Sequence, residues 1–488
     1  MFCLTDKIEQ LNIVEKITEV TACCSNNPRK FVELLKNNFE LSAFIPSNFY
    51  AKYYSSSTND RDYSLESILS ALLLGSFFHL QPSTLVLLFT FSPELREFCK
   101  FDNGSVPDES VFSKFKTKFD KELLDFFNSI SLSVIGLFAD YDKTLPENSP
   151  LKGLCEKAIY DTTGAKPKVK ENNPKFTATE VKKQKYYQKV CPKEGFNPYA
   201  AAYAKLPKFS FANHDIRLDY ANGHFGYFYK YGMISNGFGA PLHIHFLDEK
   251  FYNSLPDSFS TPEEQKYAYD NASLKPVLSS FLHRLNGNPF NTFLADSEFD
   301  SYANYDFLSK NGFEKILIPI NARNDKQSNV AFPLNEEFIP TCPKSKAPFI
   351  SDGVVRGKKR SMRLKFVCPK STKNKGKWTC DCQNKCRETN STVTTYVYPN
   401  GDLRMFPGLQ RGSDEWKNTY KIRTVIERSF SSLKSNPAAA TPNTYNLAAI
   451  RSNILLTAAT KLITIVLAFT IGKPELMLNL RNLTRAAA

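Results

Sequence analysis

The sequence predicts an α/β protein, a mixed sheet with helices preceded by a helical N-terminal module. Three observations carry this. Residues 1–150 hold apolar side chains at helical spacing; from Lys157 the pattern changes to short apolar runs ended by polar residues; and those runs alternate with further helical stretches after an initial hairpin. At 488 residues the chain is about three times the usual domain length, so it comprises several structural units.

In residues 64–78, Leu65, Ile68, Leu69, Leu72 and Leu73 recur at helical spacing behind a Ser-x-x-Ser start, and Ser92-Pro93-Glu94 opens another helix. Pro107-Asp108-Glu109-Ser110 is a capped entry to a helix through Phe112, Phe115 and Phe119. Such a helix pair suits either a DNA-reading helix-turn-helix or an apolar bundle. Ala158-Ile159-Tyr160 then runs into Asp161. Residues 227–234 and 241–246 flank the turn Ser235-Asn236-Gly237 as a hairpin. Thr292-Phe293-Leu294-Ala295 runs into Asp296, 315–320 is a β-branched run, and 266–285 and 302–311 have helical spacing.

Lys plus Arg number 63 against 49 Asp plus Glu, a formal +14 that predicts a polyanionic partner, nucleic acid before an anionic membrane surface. Residues 165–193 carry nine Lys against Glu171 and Glu180, and residues 351–390 carry twelve basic residues against Asp352, Asp381 and Glu388. Each run suits a solvated loop; two together suit a surface that tracks phosphates. A composition 42% hydrophobic and 13% aromatic excludes a disordered basic tail. Eleven Cys, unevenly placed, do not make a secreted disulfide framework, and residues 1–10 lack the apolar core of a signal peptide, so a reducing cytoplasm is expected. The apolar run 454–471 carries Lys461 near its middle and several Thr, and is predicted to be a buried helix rather than a membrane span.

Asp161 and Asp296 each follow an apolar strand, where the edge of a sheet faces a crevice; strand-end acids also serve as caps and turn formers. A third acid, Glu427, lies in residues 420–434. On a helix advancing about 100° per residue, Tyr420, Arg423, Glu427 and Lys434 share one narrow stripe, while Ile422, Val425, Ile426, Phe430 and Leu433 occupy the other side. That stripe alone also suits a surface salt bridge between Arg423 and Glu427.

The spacing Tyr420-x2-Arg423-x3-Glu427-x6-Lys434 resembles the Tyr-Arg-Glu-Lys signature of DDE transposases from bacterial insertion sequences. Ala-Ile-Tyr-Asp161-Thr-Thr-Gly and Phe-Leu-Ala-Asp296-Ser-Glu-Phe are similar to the strands that carry that family's two Asp. The stretch from Gly223-His224-Phe225-Gly226-Tyr227 to Asn236-Gly237-Phe238-Gly239 and the Pro107-Asp108-Glu109-Ser110 entry are similar as well. The resemblance implies an RNase H-like fold with the first Asp on the first strand, the second after the fourth, and the Glu on a later helix. The 131 positions between Asp296 and Glu427 exceed what compact members use and imply an inserted subdomain. The expected organisation is a helical N-terminal module at 1–150 that binds DNA ends and a first catalytic part with both Asp at 151–340. A basic, Cys-containing insertion at 341–415 and a last catalytic part with the Glu helix and C-terminal helix at 416–488 complete it.

Phosphodiester displacement is served by two divalent ions about 3.5–4 Å apart, and hard oxygen ligands suit Mg²⁺ or Mn²⁺. Asp161 is assigned as the bridging ligand, with Asp296 and Glu427 flanking. Arg423 and Lys434 are expected to contact phosphates and Tyr420 to position the transferred strand end, with Lys166, Lys168, Lys358, Lys359 and Arg360 along the DNA path. Cys342, Cys368, Cys380, Cys382 and Cys386 cluster in the insertion; Cys368, Cys380, Cys382 and Cys386 form a candidate structural Zn²⁺ set, although paired C-x2-C knuckles are missing, and buried or exposed thiols are the alternative. His243 and His245 alternate on one strand face with His214 and His224 upstream, a pattern expected to serve packing. No Gly-rich phosphate loop or nucleophile elbow is visible, which excludes a nucleotide cofactor and Ser-dependent acyl transfer.

The function expected is that of a DNA transposase, an endonuclease and strand-transfer enzyme that binds its terminal repeats, cuts there and joins the ends to target DNA. It would act on double-stranded DNA as a homodimer or higher synaptic complex, in the cytoplasm with the nucleoid. The alternatives are a catalytically inactive DNA-binding descendant and an RNase H-like nuclease without strand transfer.

Overall fold

The computed structural model describes residues 28–55, 61–101, 105–221, 224–255, 262–321, 332, 335, 339–357, 360–380, 382–383, 392–397, 403–404, 407–409, 411 and 413–486. The architecture is mixed α/β. Helices α1 (Pro28–Asn38), α2 (Ser47–Tyr54), α3 (Leu65–Phe77), α4 (Pro82–Phe91), α5 (Pro93–Phe98), α6 (Glu109–Lys118) and α7 (Asp120–Thr144) come first. The expected starts are capped as the sequence suggests. Ser64 accepts from Ser67 N, Ser92 from Leu95 N, and Asp108 from Ser110 N and Val111 N, so each hydroxyl or carboxylate satisfies amide donors that have no helical partner.

The central strand is β1 (Lys157–Ala165), followed by α8 (Pro174–Val190), α9 (Pro198–Lys205), β2 (Arg217–Ala221), β3 (His224–Ser235) and β4 (Pro241–Phe246). Next come α10 (Glu249–Asn253), α11 (Pro262–Leu285), β5 (Thr292–Leu294), α12 (Tyr302–Lys310) and β6 (Lys315–Leu317). β1 pairs antiparallel with β3 on one side and parallel with β5 on the other; β5 continues parallel to β6, and β2 and β4 pair antiparallel with β3. Three sequence expectations need correction. Asp161 lies within β1 rather than at its end, because the ladder to β3 continues as far as Ala165. The basic run at 165–193 is largely a helix, α8, capped by Asn173. The run at 315–320 pairs only over β6.

Among the described residues of 341–415, five strands form two further sheets. β7 (Ile350–Gly357), β8 (Arg360–Val367) and β11 (Thr394–Val397) make one, and β9 (Ser371–Asn374) and β10 (Lys377–Cys380) make the other. Their small core is Cys342, Phe349, Cys368 and Val393. The chain ends in α13 (Asp414–Lys421), α14 (Thr424–Lys434), α15 (Pro437–Ala440), α16 (Leu447–Thr470) and α17 (Leu480–Ala486).

α16 joins the N-terminal helices to the sheet. Its Arg451 bonds the Tyr229 hydroxyl of β3 at 2.7 Å and pairs with Asp120 of α7 at 3.3 Å, while its Ser452 hydroxyl donates to the Lys116 carbonyl at 2.6 Å. Thr457, Thr460 and Thr464 donate back to helical carbonyls, so their hydroxyls are satisfied in an apolar surround. By length and composition α7 and α16 could each cross a membrane, and so could α3 with α4 as one bent span. Here α16 packs on α7, α3 and α6, and most of its side chains are buried.

The chain returning from the small sheets is anchored by a buried ion pair. Arg404 grips Asp300 through two hydrogen bonds, Nε to Oδ1 at 2.8 Å and Nη2 to Oδ2 at 2.6 Å, with both side chains essentially inaccessible. Arg411 donates to the carbonyls of Arg404 and Ile318 and to the Tyr305 hydroxyl, and Ile316 N of β6 donates to the Pro407 carbonyl at 2.8 Å. Arg404→Met leaves a buried carboxylate without its cation and is expected to cost about 3–5 kcal/mol. Denaturant unfolding checks this, and the double variant Asp300→Asn/Arg404→Met should lose less than the sum of the two single losses.

Candidate active site

The parallel register of β1 and β5 sets Ile159 opposite Leu294. Two residues further along, Asp161 and Asp296 leave neighbouring strands at the same level, where Asp296 caps the short turn Ser297–Phe299 by accepting from Glu298 N at 2.7 Å. α11 crosses close behind. A Cβ at Gly232, opposite Thr162 in β3, would lie 2.8 Å from both the Tyr160 hydroxyl and Val277, so this crossing requires glycine.

Behind the two acids lies a buried ionic chain. Lys230 of β3 contacts Asp219 of β2 at 2.7 Å and Asp270 of α11 at 2.8 Å. Thr162 donates to Asp270 at 2.7 Å, and Lys266 pairs with Glu298 at 2.6 Å and reaches Asp270 at 3.7 Å. Burial disfavours the Lys230 ammonium, but Asp219 and Asp270 outweigh it and hold its pKa well above the ordinary lysine value. These residues were missed in the sequence, although Lys230 in the middle of an aromatic strand signals a buried partner and Lys266 and Asp270 stand four apart on a helix.

Among the described residues no cation contacts Asp161 directly. Burial pushes its carboxyl up to about 7; the Thr162 backbone N–H opposes this, the charges of Asp270 and Asp296 add to it, and Arg423 draws it back. Facing these acids is the segment 420–434, and here the expectation of one continuous helix is corrected. α13 ends at Lys421, Ile422 and Arg423 form a tightened turn, and α14 starts at Thr424. The apolar side survives the break, with Ile426, Phe430 and Leu433 buried and Ile422 and Val425 partly so. The β3–β4 turn receives α14 at Gly239, whose φ of +89° and 2.8 Å approach of Val425 to an added Cβ exclude other residues.

On the polar side, the Arg423 guanidinium lies 5.8 Å from the centre of the Tyr420 ring. Burial pushes the Tyr420 phenol up to about 12, with Arg423 opposing and Asp296 and Asp161 adding. Burial lowers the Lys434 pKa, and the Asp161 charge works against it. Asp161, Asp296, Tyr420, Arg423 and Lys434 therefore share one electrostatic neighbourhood. Glu427 instead pairs with Arg423 at 2.7 Å, its side chain 54% exposed. Among the described residues no three His, Cys, Asp or Glu side chains form a set that could hold a metal ion. The Asp296 charge adds to the raised pKa of Asp161, and carboxylate oxygens are the donor type that hard divalent cations take.

Lys166 and Lys168 are exposed on the stretch after β1, where their amides donate to the carbonyls of Ala440 and Pro442. Lys358, Lys359 and Cys386 lie outside the described residues, as do the side chains of Arg360 and Cys380. Cys368 is buried in the small core with Cys342, and Cys382 is partly exposed. His243 packs against Phe281 and His245, and burial, Arg284 and His245 hold its pKa well below the ordinary value.

Residues 23–118 match the family model described as a transposase domain (DUF772), which supports a transposase family for this chain. No curated protein and no solved structure matches it.

The raised Asp161 pKa has a definite sign. The folded state binds this proton more tightly than the unfolded chain, so the contribution is fully present below about pH 4 and is lost as pH rises to about 7. Asp161→Asn keeps the uncharged form at all pH. It is expected to melt above the unsubstituted protein at pH 8, with the gain shrinking toward pH 5; an equal gain at both pH values would contradict this.

Proposed function

We propose that the protein is a DDE-type DNA transposase with an RNase H-like catalytic domain, which cuts at the ends of its element and joins them to target DNA. The observation that carries this is that Asp161 on β1 and Asp296, two residues past the end of the adjacent parallel strand β5, stand at the same level of a six-stranded sheet with order β2-β3-β1-β5-β6 and β4 also on β3. The first Asp is on the first strand, and the second follows the fifth in chain order, one later than the signature implies because β2 adds a strand against the far half of β3. That arrangement, with Glu427 on a later helix and a small β unit between β6 and that helix, favours the fold implied by the signature. The match of the N-terminal helices to a transposase domain supports the activity.

Asp161 and Asp296, completed by Glu427, would hold Mg²⁺ or Mn²⁺, which would stabilise the attacking and leaving oxygens of an in-line phosphodiester displacement. Arg423 already sits among these acids, and a DNA phosphate would compete with Glu427 for its guanidinium, releasing Glu427 toward the two Asp. Lys434 and the exposed Lys166 and Lys168 add positive charge for the DNA backbone. Tyr420 presents a ring beside the acids for the strand end. Two ends must be held together for joining, which calls for a dimer or larger synaptic complex. Cys368, Cys380, Cys382 and Cys386 remain the proposed Zn²⁺ set.

The Arg423–Glu427 pair also favours a second reading, a DNA-binding descendant in which that acid no longer serves chemistry. One assay separates them: a labelled duplex containing the DNA that flanks the coding sequence, incubated with the protein and Mg²⁺ or Mn²⁺. Cleavage and joining are expected, and Asp161→Asn, Asp296→Asn and Glu427→Gln should each reduce them at least about a hundredfold. Joining that survives these substitutions would sink the assigned site. Tight binding without cleavage by the unsubstituted protein supports the second reading.

A further inference from the structure

Between β1, which carries Asp161, and β2 the chain projects α8 and α9, packed on each other. The inner side of α8 is held by the buried Gln184, by Gln188, which donates to the Phe196 carbonyl at 3.2 Å, and by Phe176 against Tyr227. The outer side is unlike an ordinary solvated helix. Tyr186, Tyr187 and Tyr199 are 65%, 57% and 51% exposed, so three aromatic rings face water on a surface that also presents exposed Lys182, Lys183, Lys185 and Lys189. The rings and ammonium groups interleave. Lys185 lies 4.9 Å from the Tyr199 ring centre, Lys205 lies 5.5 Å from that of Tyr187, and Tyr186 and Tyr187 meet edge to face at 6.5 Å. Lysines alone would serve solubility or a duplex backbone. Exposed rings at this density cost solvation and serve neither need.

We infer that the α8–α9 surface is a single-strand binding platform, on which unpaired DNA bases stack on Tyr186, Tyr187 and Tyr199 while the lysines neutralise the phosphates between them. Every base has a flat π face, so rings read single strands without sequence preference, whereas bases in a duplex are already stacked on each other. The two ring–lysine contacts hold Tyr187 and Tyr199 in place before a strand arrives, and a phosphate can take over each ammonium as a base covers each ring. The inference rests on the transposase reading in one respect: strand cleavage supplies the unpaired end. The platform leaves the sheet on the strand that carries Asp161, so an end held there stays attached to the body that cuts it.

The test uses the full chain with fluorescent dT15, a random-sequence 20-base-pair duplex and rU15. Tyr186→Ala/Tyr187→Ala/Tyr199→Ala is expected to weaken dT15 binding by roughly a hundredfold or more while duplex affinity changes less than about threefold. The corresponding triple Tyr→Phe variant keeps the rings and should bind dT15 as the unsubstituted protein does. Lys182→Gln/Lys183→Gln/Lys185→Gln should weaken dT15 binding and flatten the slope of its salt dependence by up to about 0.7 for each phosphate that is no longer neutralised. Unchanged dT15 binding by the Tyr→Ala variant overturns the inference. So does an equal loss on the duplex, tighter binding of rU15 than dT15, or a change of oligomeric state in light scattering without a change in dT15 binding. If end joining occurs but the Tyr→Ala variant still binds dT15, only this inference fails. If the variant loses dT15 and no joining occurs with any substrate, the platform stands and the catalytic reading falls.

Discussion

The buried contact between Asp300 and Arg404 is the constraint on which the candidate site depends. Asp300 lies four residues after Asp296, and Arg404 lies in the stretch that leads back from the small β unit toward α13 and α14. A two-pronged pair with no access to water has a low tolerance for displacement, because separating the charges would leave both desolvated and unpaired. Fixing these two residues fixes the level at which the returning chain meets β6, and Arg411 extends the anchor to Tyr305 and Ile318. The 131 positions between Asp296 and Glu427 therefore matter little to the geometry. The inserted unit can fold around its own Cys342, Phe349, Cys368 and Val393 core without being felt at the acids.

The second constraint is electrostatic. Among the described residues, Asp161, Asp219, Asp270, Asp296 and Glu298 gather around β1, β5 and α11, yet the structure compensates them unequally. Asp219, Asp270 and Glu298 contact Lys230 or Lys266. Asp161 and Asp296 form no ion pair with either lysine among the described residues, and the cations that act on Asp161, Arg423 and Lys434, come from a separate helical segment. Lysines that neutralise the rear acids keep the local charge from becoming prohibitive, while the front pair stays short of cation. This division separates acids neutralised within the fold from the two that the proposed metal site would use, and it could not be seen by counting carboxylates.

What was legible in the sequence follows from the range of the interactions involved. Helix starts at Ser64, Ser92 and Asp108 are set by atoms within three residues, so local reading finds them. The β3–β4 hairpin and the apolar runs ahead of Asp161 and Asp296 are nearly as local. The buried side of α14 was readable from its spacing, but the tightened turn at Ile422 and Arg423 was not, since both residues keep helical dihedrals and only the hydrogen-bond pattern changes. β2, β7, β8, β9 and β10 pair with their chain neighbours across short connections, but their residues carry no clean apolar alternation to announce them, and β11 reaches back past β9 and β10 to pair with β8. A run of lysines hid α8, whose inner face is made of Phe176, Gln184 and Gln188 rather than a plain apolar stripe.

The position of Glu427 follows from the same separation of rigid and adaptable parts. Its helix is fixed on one side by Ile426, Phe430 and Leu433 and at its start by the contact of Val425 with Gly239. Its backbone therefore has little freedom, and only the side chain can change partner. The bond to Arg423 is a half-exposed pair four residues apart, a class worth a few tenths of a kcal/mol to about 1 kcal/mol. In the proposed reaction a phosphate at Arg423, or a divalent ion at Asp161 and Asp296, would offer more than that to the group it recruits. The arrangement is thus rigid where it sets the two Asp and weak where it holds Glu427, so on the proposed reading the Arg423–Glu427 bond is one that binding of DNA or metal could exchange at little cost.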